Sequence, residues 1–496
     1  MPNSNSIIHF AGGEDLVSNP MDIDPGRCIF SLNYEIDLSG GYARIPGYVA
    51  FDGSDTPTAP AGQGAILGGF VLGGKVYCFR NDAGGAAASL YEATASGWAA
   101  VSGVSLSPGG RFETVAENFL GTVGGEKVYW CDGVNPAYEF DGVTAAAIAS
   151  GATVDAPSHI EAHKARLWLG FDTGEVRYSP VGNPSGSWAD SWTQGVIGIG
   201  QPVTALVSLP GDALAMFAQE RTHILYGSSS ADFNLTQHSK NIGSKAYTVQ
   251  RVTDAIFMDE QGVTTLSATQ NYGDFATNSI SADIAPAINP QDHIASVVVK
   301  GKSQYRIYFA DGAFYSATFN GAQLAGWMRG KYNFDLACVW RGEIDGIERL
   351  FAGSSDGTVY ELDTGTSFDG ESYLSVLHLP YWSLGRPAEY KTYRKTVLDL
   401  NSASAFDLRF KALFDYGERS DIVHTDLIDA RGTRWGYTDT WGSGVVWGGS
   451  YQQAADAYTT GTGLNMALIL STQSDTVTPF SLRAATVVAE LRRGIR

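Results

Sequence analysis

The sequence predicts an all-β fold: a propeller-like domain of about five to seven small antiparallel sheets, an N-terminal extended arm and a C-terminal β-sandwich or platform domain. Three observations carry this. Period-2 segments rich in Val, Phe, Tyr, Trp and Thr recur along the chain, while helical patterns with a cap at each end are nearly absent. The segments share one form: an apolar strand, a tight turn on Asp-Gly or another Gly, then a second strand carrying an aromatic. Turns of this kind need φ > 0, and 59 glycines in 496 residues supply it generously.

Residues 1–65 read as the arm, punctuated by turns at Asn19-Pro20, Asp24-Pro25-Gly26 and Ser39-Gly40-Gly41. Residues 66–365 hold the repeat. Its hairpins begin near Lys75, Lys127, Arg166, Leu214, Ile256, Arg306 and Arg349, at spacings of 39 to 52 residues. One propeller blade takes ~40–50 residues, although stacked sandwiches or an irregular barrel would also show Asp-Gly hairpins. From 366 to 496 the texture changes. Strand-like runs at Lys395–Leu400 and Asp407–Phe414 lead into a Gly- and Trp-rich stretch with Trp435, Trp441 and Trp447, followed by runs at Leu464–Leu470 and Thr486–Leu491. This pattern predicts a separate antiparallel sandwich. One short helix is expected at Ile280–Ile284, ended by Pro286.

Charge separates the same regions. The chain carries 33 basic and 52 acidic residues, a net charge of −19. Residues 386–496 hold 13 basic and 12 acidic of these, so residues 1–385 account for −20. Such an acidic surface repels phosphates and argues against a protein that grips nucleic acid. Cys28, Cys78, Cys131 and Cys338 are too scattered for a disulfide framework or a metal knuckle and read as buried thiols. The polar opening Met1-Pro2-Asn3-Ser4-Asn5-Ser6 has no signal-peptide pattern, and no apolar run reaches membrane-spanning length.

Motifs for chemistry fail on context. Gly353-Ser354-Ser355-Asp356-Gly357 matches G-x-S-x-G, but a strand, not a helix, follows it. Gly301-Lys302-Ser303 lacks the glycine loop of a phosphate cradle, and Gly198-Ile199-Gly200 runs into Gln201-Pro202 where a dinucleotide fold needs a helix. His159 and His163 are four apart, the spacing of two ligands on one helical face, yet no third ligand accompanies them. Asp22-Ile23-Asp24 lacks the alternation of a calcium loop. Trp188, Trp192, Trp435, Trp441 and Trp447 offer stacking surfaces for sugars, though tryptophan in a β protein more often fills a core or an interface. No catalytic residue, cofactor or metal is therefore predicted.

The order of segments is more informative. The arm reads Asn33-Tyr34-Glu35-Ile36-Asp37-Leu38-Ser39-Gly40-Gly41-Tyr42-Ala43-Arg44-Ile45-Pro46-Gly47-Tyr48, and Gly133-Val134-Asn135-Pro136 leads to Phe140-Asp141-Gly142. Next come His163–Gly170, Val176–Pro184, Pro202–Leu206 with Ala213–Phe217, and the Phe257–Val263 hairpin. Leu384-Gly385-Arg386-Pro387 with Lys391 and Arg394-Lys395, then the basic end Arg492-Arg493-Gly494-Ile495-Arg496, complete the series. In this order the chain resembles the tail nozzle (tail tubular) proteins of short-tailed bacteriophages over nearly its whole length.

The resemblance implies a structural virion component and no enzyme. Six copies would form a ring below the portal, contacting the head-to-tail adaptor and the tail fibres or spikes, with genomic DNA passing through without tight binding. It also implies that the N- and C-terminal parts together build the platform that docks to the adaptor. The runner-up reading is a carbohydrate-binding or glycoside-hydrolysing propeller at the host surface; another tail role, such as a hub, is a third.

Overall fold

The computed structural model describes the chain except residues 1–2, 187, 189–194, 230, 253, 273–278, 403–405, 417–422, 429–451 and 493–496. Strand takes up 52% and helix 3%, so the fold is all-β. The chain divides into two compact units: residues 50–312 with 333–362, and residues 1–49 with 313–332 and 363–496.

The first unit is a propeller-like ring of seven antiparallel sheets. Their first strands are Gln63–Leu72, Glu113–Glu117, His159–His163, Val203–Leu209, Gln250–Arg251, His293–Val299 and Leu336–Ile344. Each first strand touches the first strand of the next sheet, and the last returns to Gln63–Leu72, closing the ring. The sequence-predicted hairpins mark the second strands, Lys75–Asn81, Lys127–Cys131, Arg166–Gly170, Ala213–Ala218, Ala255–Met258, Gln304–Phe309 and Ile347–Ser354. These second strands are largely apolar because both of their faces are covered, with buried exceptions such as Arg80, Arg166 and Arg306. In the second sheet, Val128 and Trp130 pack toward Phe70 and Phe79 of the first, while Tyr129 and Cys131 pack toward Leu167 and Leu169 of the third. Trp168, one residue out of phase with Leu167, turns instead to Leu214 and Met216 of the fourth sheet. Strand alternation therefore sends successive side chains into opposite seams, and no sheet completes a core alone.

The second unit is a sandwich. One sheet orders its strands Tyr34–Ile36, Tyr42–Arg44, Ser481–Leu491, Lys391–Asn401 and Gln452–Ala457, with Asn3–His9 added on Ser481–Leu491. The other orders Phe30–Leu32, Tyr373–His378, Met466–Ser474, Phe406–Phe414 and Val423–Ile428. Leu398, Leu400 and Leu482 from the first meet Leu377, Phe410 and Leu470 from the second in one core.

The observed boundaries differ from 1–65, 66–365 and 366–496 in three places. Residues 50–65 group with the propeller unit; residues 363–365 group with the sandwich unit, and so do Ala313–Asn320 and Gln323–Lys331, although these two strands are paired into the sixth sheet as its third and fourth. Ala325 and Met328 on the second of them pack with the sandwich core. The arm is folded rather than extended: its strands pair with Ser481–Leu491 and Tyr373–His378. The helical turn also runs later than expected. A 3₁₀ turn at Ala282–Ile284 passes into a helix at Ala285–Ile288, with Pro286 inside its first turn. Proline fits there because first-turn N–H groups have no helical partner to lose.

The arm's distinctive residues act as internal pins. Arg44 is fully buried, and its guanidinium donates to the carbonyls of Val477 (2.9 Å) and Ser474 (2.8 Å) and to Ser375 Oγ (3.2 Å), while lying 3.8 Å over the Tyr373 ring. Asn33 donates to the Leu374 carbonyl at 2.8 Å and accepts from the Lys331 N–H at 2.9 Å. Gly47 is needed because a Cβ there would lie 1.9 Å from the Ser367 carbonyl oxygen. Near the other end, Lys391 is fully buried with Nζ donating to the carbonyls of Arg386 (2.5 Å), Glu389 (2.9 Å) and Leu464 (2.7 Å).

Candidate functional site in the propeller

The inner strands of the ring leave a cavity of about 400 Å³ lined by residues of six of the seven sheets. Inner strands supply backbone and short side chains on most sides, such as Gly68, Gly69, Ala205 and Ala295. Polar groups come from four places: Arg111, Glu113 and Thr114 at the start of the second sheet, Tyr247 and Gln250 before and on the fifth, Ser296 on the sixth, and Arg341 on the seventh.

Several of these groups form one network. Glu113 Oε2 lies 2.8 Å from Nδ1 of the buried His159, on the neighbouring inner strand. The Tyr247 ring is 5.4 Å from the His159 ring, and on it lies the Arg111 guanidinium, 3.7 Å from the ring centre. Ser296 Oγ donates to the Tyr247 carbonyl at 3.0 Å, and Gln250 Nε2 donates to the Ser296 carbonyl at 3.1 Å. Tyr247 holds φ at +62°. That is the left-handed region, which a bulky side chain adopts only where its surroundings enforce it.

Electrostatics single out one more carboxyl. Glu161 is two residues along the strand from His159, and its pKa is pushed up to about 8, first by burial and then by the like charge of Glu113, with Arg251 opposing. It therefore carries its proton at neutral pH. Burial likewise pushes the Tyr247 hydroxyl up, with Glu113 adding to it, and pulls the Arg111 guanidinium down.

The histidine pair lies on a strand, not a helix. His159 meets Glu113, whereas His163 Nδ1 lies 2.8 Å from Ser208 Oγ. Burial, helped by Lys164, pulls His163 down to about 4, so it is neutral at physiological pH. Among the described residues, no group of three or more His, Cys, Asp or Glu is arranged to hold a metal.

The remaining candidates are structural parts. Gly353–Gly357 is the turn joining Ile347–Ser354 to Val359–Leu362; Ser354 Oγ donates to Asp356 and accepts the Thr358 N–H at 2.8 Å. Gly301-Lys302-Ser303 joins the strands of the sixth sheet, and Gly198-Ile199-Gly200 joins the third to the fourth. Trp188 is buried, with Nε1 donating to the Pro184 carbonyl at 2.6 Å. Asn135 pins its turn by pairing with Asp132 and with the backbone of Ser107. The four cysteines are buried and free. Trp192, Trp435, Trp441, Trp447 and Arg493–Arg496 lie outside the described residues. No described helix is long and apolar enough to cross a membrane.

Glu113, Glu161, Arg111 and Tyr247 were not visible as a group in the sequence. They come from three separate segments, and none stands in a motif.

No protein-family model and no curated protein matches the chain. Among solved structures, the computationally designed Ika8 protein is similar at 13% identity and a TM-score of 0.37, covering 62% of this chain and 98% of that one. The structure of BBS1N in complex with ARL6DN is similar at 9% identity and a TM-score of 0.39, covering 64% and 97%. The propeller-like architecture rests on the strand order and contacts described above.

Proposed function

We propose that the chain is a structural tail protein of a short-tailed bacteriophage, the nozzle. In this reading six copies form a ring below the portal and adaptor and continue the channel through which DNA leaves. The chain is made in the host cytoplasm and resides in the virion tail, with the adaptor and the fibres or spikes as neighbours.

One observation carries the reading: the segments that resemble the nozzle proteins are parts of the chain's own framework. Asn33, Tyr42, Arg44 and Gly47 of the arm are packed and bonded against residues 363–496, in one unit that joins the two ends of the chain. A platform made from both termini is what the resemblance implies. The charge adds support, since −20 over residues 1–385 suits a wall along which DNA slides without being held. The reading includes no catalysis.

Two measurements test it. A reconstruction of the particle is expected to show six copies on the tail axis; a capsid-surface or fibre-tip position refutes the role. Purified protein is expected not to retard duplex DNA at physiological salt. Salt-sensitive binding at sub-micromolar concentration would overturn the channel argument even with the location correct.

A further inference from the structure

We propose that the cavity inside the propeller binds a small zwitterion, a free amino acid, with Arg111 taking its carboxylate and Glu113 its ammonium group. The proposal does not depend on the tail reading, which leaves both residues without a role.

Strand alternation places the two side chains. Phe112 is buried in the seam between the first and second sheets, so Arg111 and Glu113, on either side of it, leave the chain in the other direction. Each is then held by a different partner. Arg111 reaches from the second sheet to Tyr247, which precedes the fifth, and its guanidinium lies 3.7 Å from the ring centre. Glu113 Oε2 lies 2.8 Å from His159 Nδ1 on the third sheet. Among the described residues, no carbonyl, hydroxyl or carboxylate accepts from the Arg111 guanidinium, and nothing donates to Glu113 Oε1. Two opposite charges, two residues apart and both in the wall of one cavity, are thus kept from pairing with each other.

That arrangement selects a ligand. A guanidinium has five N–H donors, and stacking on an aromatic face uses none of them. Withdrawing such a cation from water without acceptors is costly, and burial pulls the Arg111 pKa below its usual value. A ligand carboxylate accepts from two of these donors at once. A simple anion would bring its charge against Glu113, and a simple amine would bring its own against Arg111. A molecule with an ammonium and a carboxylate on one carbon answers both and adds no net charge. Arg341 does not change this balance, because its Nη1 donates to the Val298 carbonyl and to Glu348 Oε1, both at 3.0 Å.

The remaining wall suits a ligand of this size. Gly68, Gly69, Ala205 and Ala295 leave space for its side chain. The volume, about 400 Å³, falls low in the ~300–1,000 Å³ range of small-molecule sites. Arg111 is also positioned in advance. Tyr247 holds φ at +62°, and its carbonyl accepts from Ser296 Oγ at 3.0 Å, which fixes the ring on which the guanidinium rests.

The test titrates the common L-amino acids one by one into the full chain, at up to millimolar concentration, by calorimetry and saturation-transfer NMR. At least one is expected to bind saturably. Its deaminated acid and its decarboxylated amine should each bind the wild-type chain about tenfold more weakly or worse. Arg111→Gln and Glu113→Gln should each weaken binding by roughly tenfold, with thermal melts confirming that they fold. Should a variant fail to fold, the comparison of the three compounds on the wild-type chain decides alone. The proposal is overturned if no amino acid binds, if the acid or the amine binds as tightly as the amino acid, or if either folded variant binds as the wild type does. None of these outcomes bears on where the protein sits in a particle, so this inference and the tail reading fail separately.

Discussion

The sandwich unit and the propeller unit use the same material, antiparallel strands with alternating burial, and treat buried polar groups in opposite ways. In the sandwich, charged side chains taken from water are surrounded by fixed acceptors. Arg44 meets backbone carbonyls and a hydroxyl, and Lys391 meets three carbonyls. In the propeller, the apolar cores lie in the seams between sheets, and polar groups such as Arg111, Glu113 and Gln250 stand in the wall of a central hollow. A two-layer fold can fill its centre from both sides. Seven sheets meeting at their first strands cannot, because those strands approach each other by backbone and short side chains. Polar groups in the sandwich hold strands together, while several of those in the propeller face a space.

The largest effects should come from the pins. Arg44→Ala removes a buried cation and strands several acceptors, a loss on the order of 4 kcal/mol. Arg44→Lys should recover little of it, because one ammonium cannot reproduce the guanidinium's divergent donors and its stacking on Tyr373. Lys391→Met keeps the stem and leaves three carbonyls unpaired, for roughly 3 kcal/mol. Chemical denaturation reads both. If either variant unfolds within about 1 kcal/mol of the wild type, the carbonyl cages are not stabilising elements, and the contrast between the units weakens.

A smaller effect is expected where the ring closes. Between the seventh and first sheets, glycines let two strands approach: a Cβ on Gly342 would lie 2.3 Å from Val71 Cβ, and one on Gly353 would lie 2.5 Å from Ile66 Cβ. Gly342→Ala should cost about 2 kcal/mol through overpacking, since both clashing atoms are backbone-anchored. Gly346→Ala, whose nearest neighbour is Glu343 Oε1 at 4.0 Å, separates crowding from loss of glycine itself; its φ of +74° makes it the control for backbone strain. Equal destabilisation by the two would mean that strain, not closure, sets the glycine requirement.

How much of this was legible depends on whether the signal is local. The second strand of each sheet is largely buried on both faces and in six of the seven sheets ends at a turn containing Gly, Ala213–Ala218 being the exception, so the seven hairpin starts from Lys75 to Arg349 can be read from neighbouring residues. First strands are harder to read. Gln250–Arg251 has two residues, and Glu113–Glu117 looks like any surface strand, because what it faces is built by other sheets. The hairpin of residues 313–331 has the texture of the repeat and is paired into its sixth sheet; only the long-range packing of Ala325 and Met328 groups it with the sandwich, and that is not legible locally. The cavity was invisible for the same reason: Arg111, Glu113 and Tyr247 converge through ring closure, which no periodicity encodes. Arg44 was noticed through its resemblance, but its role needed Val477 and Ser474, more than 400 residues away in sequence.

The sharpest comparison comes from carboxyls, because each unit holds one that burial raises into the neutral range. Glu161 in the propeller stands at about 8, and Glu14 in the sandwich at about 7. Glu14 is almost fully buried, with Oε1 accepting the Ser31 N–H at 3.0 Å and Oε2 without a partner. A carboxyl with a raised folded pKa binds a proton in the folded chain that the unfolded chain has already lost. Its stabilising contribution is thus complete below the ordinary value near 4.5 and disappears as pH rises through the folded value. Replacement by glutamine removes the titration, so each variant should gain stability over the wild type as pH increases. Glu161→Gln should gain across the window from about 4.5 to 8, and Glu14→Gln should complete its gain by about 7. The full gain should be about 2 kcal/mol for Glu161, reduced from the value its shift implies because the side chain is partly exposed. Denaturant midpoints for each variant and the wild type at pH 5, 7 and 9 resolve the two windows. If Glu161→Gln shows the same difference from wild type at pH 5 and pH 9, Glu161 does not hold its proton in the folded chain.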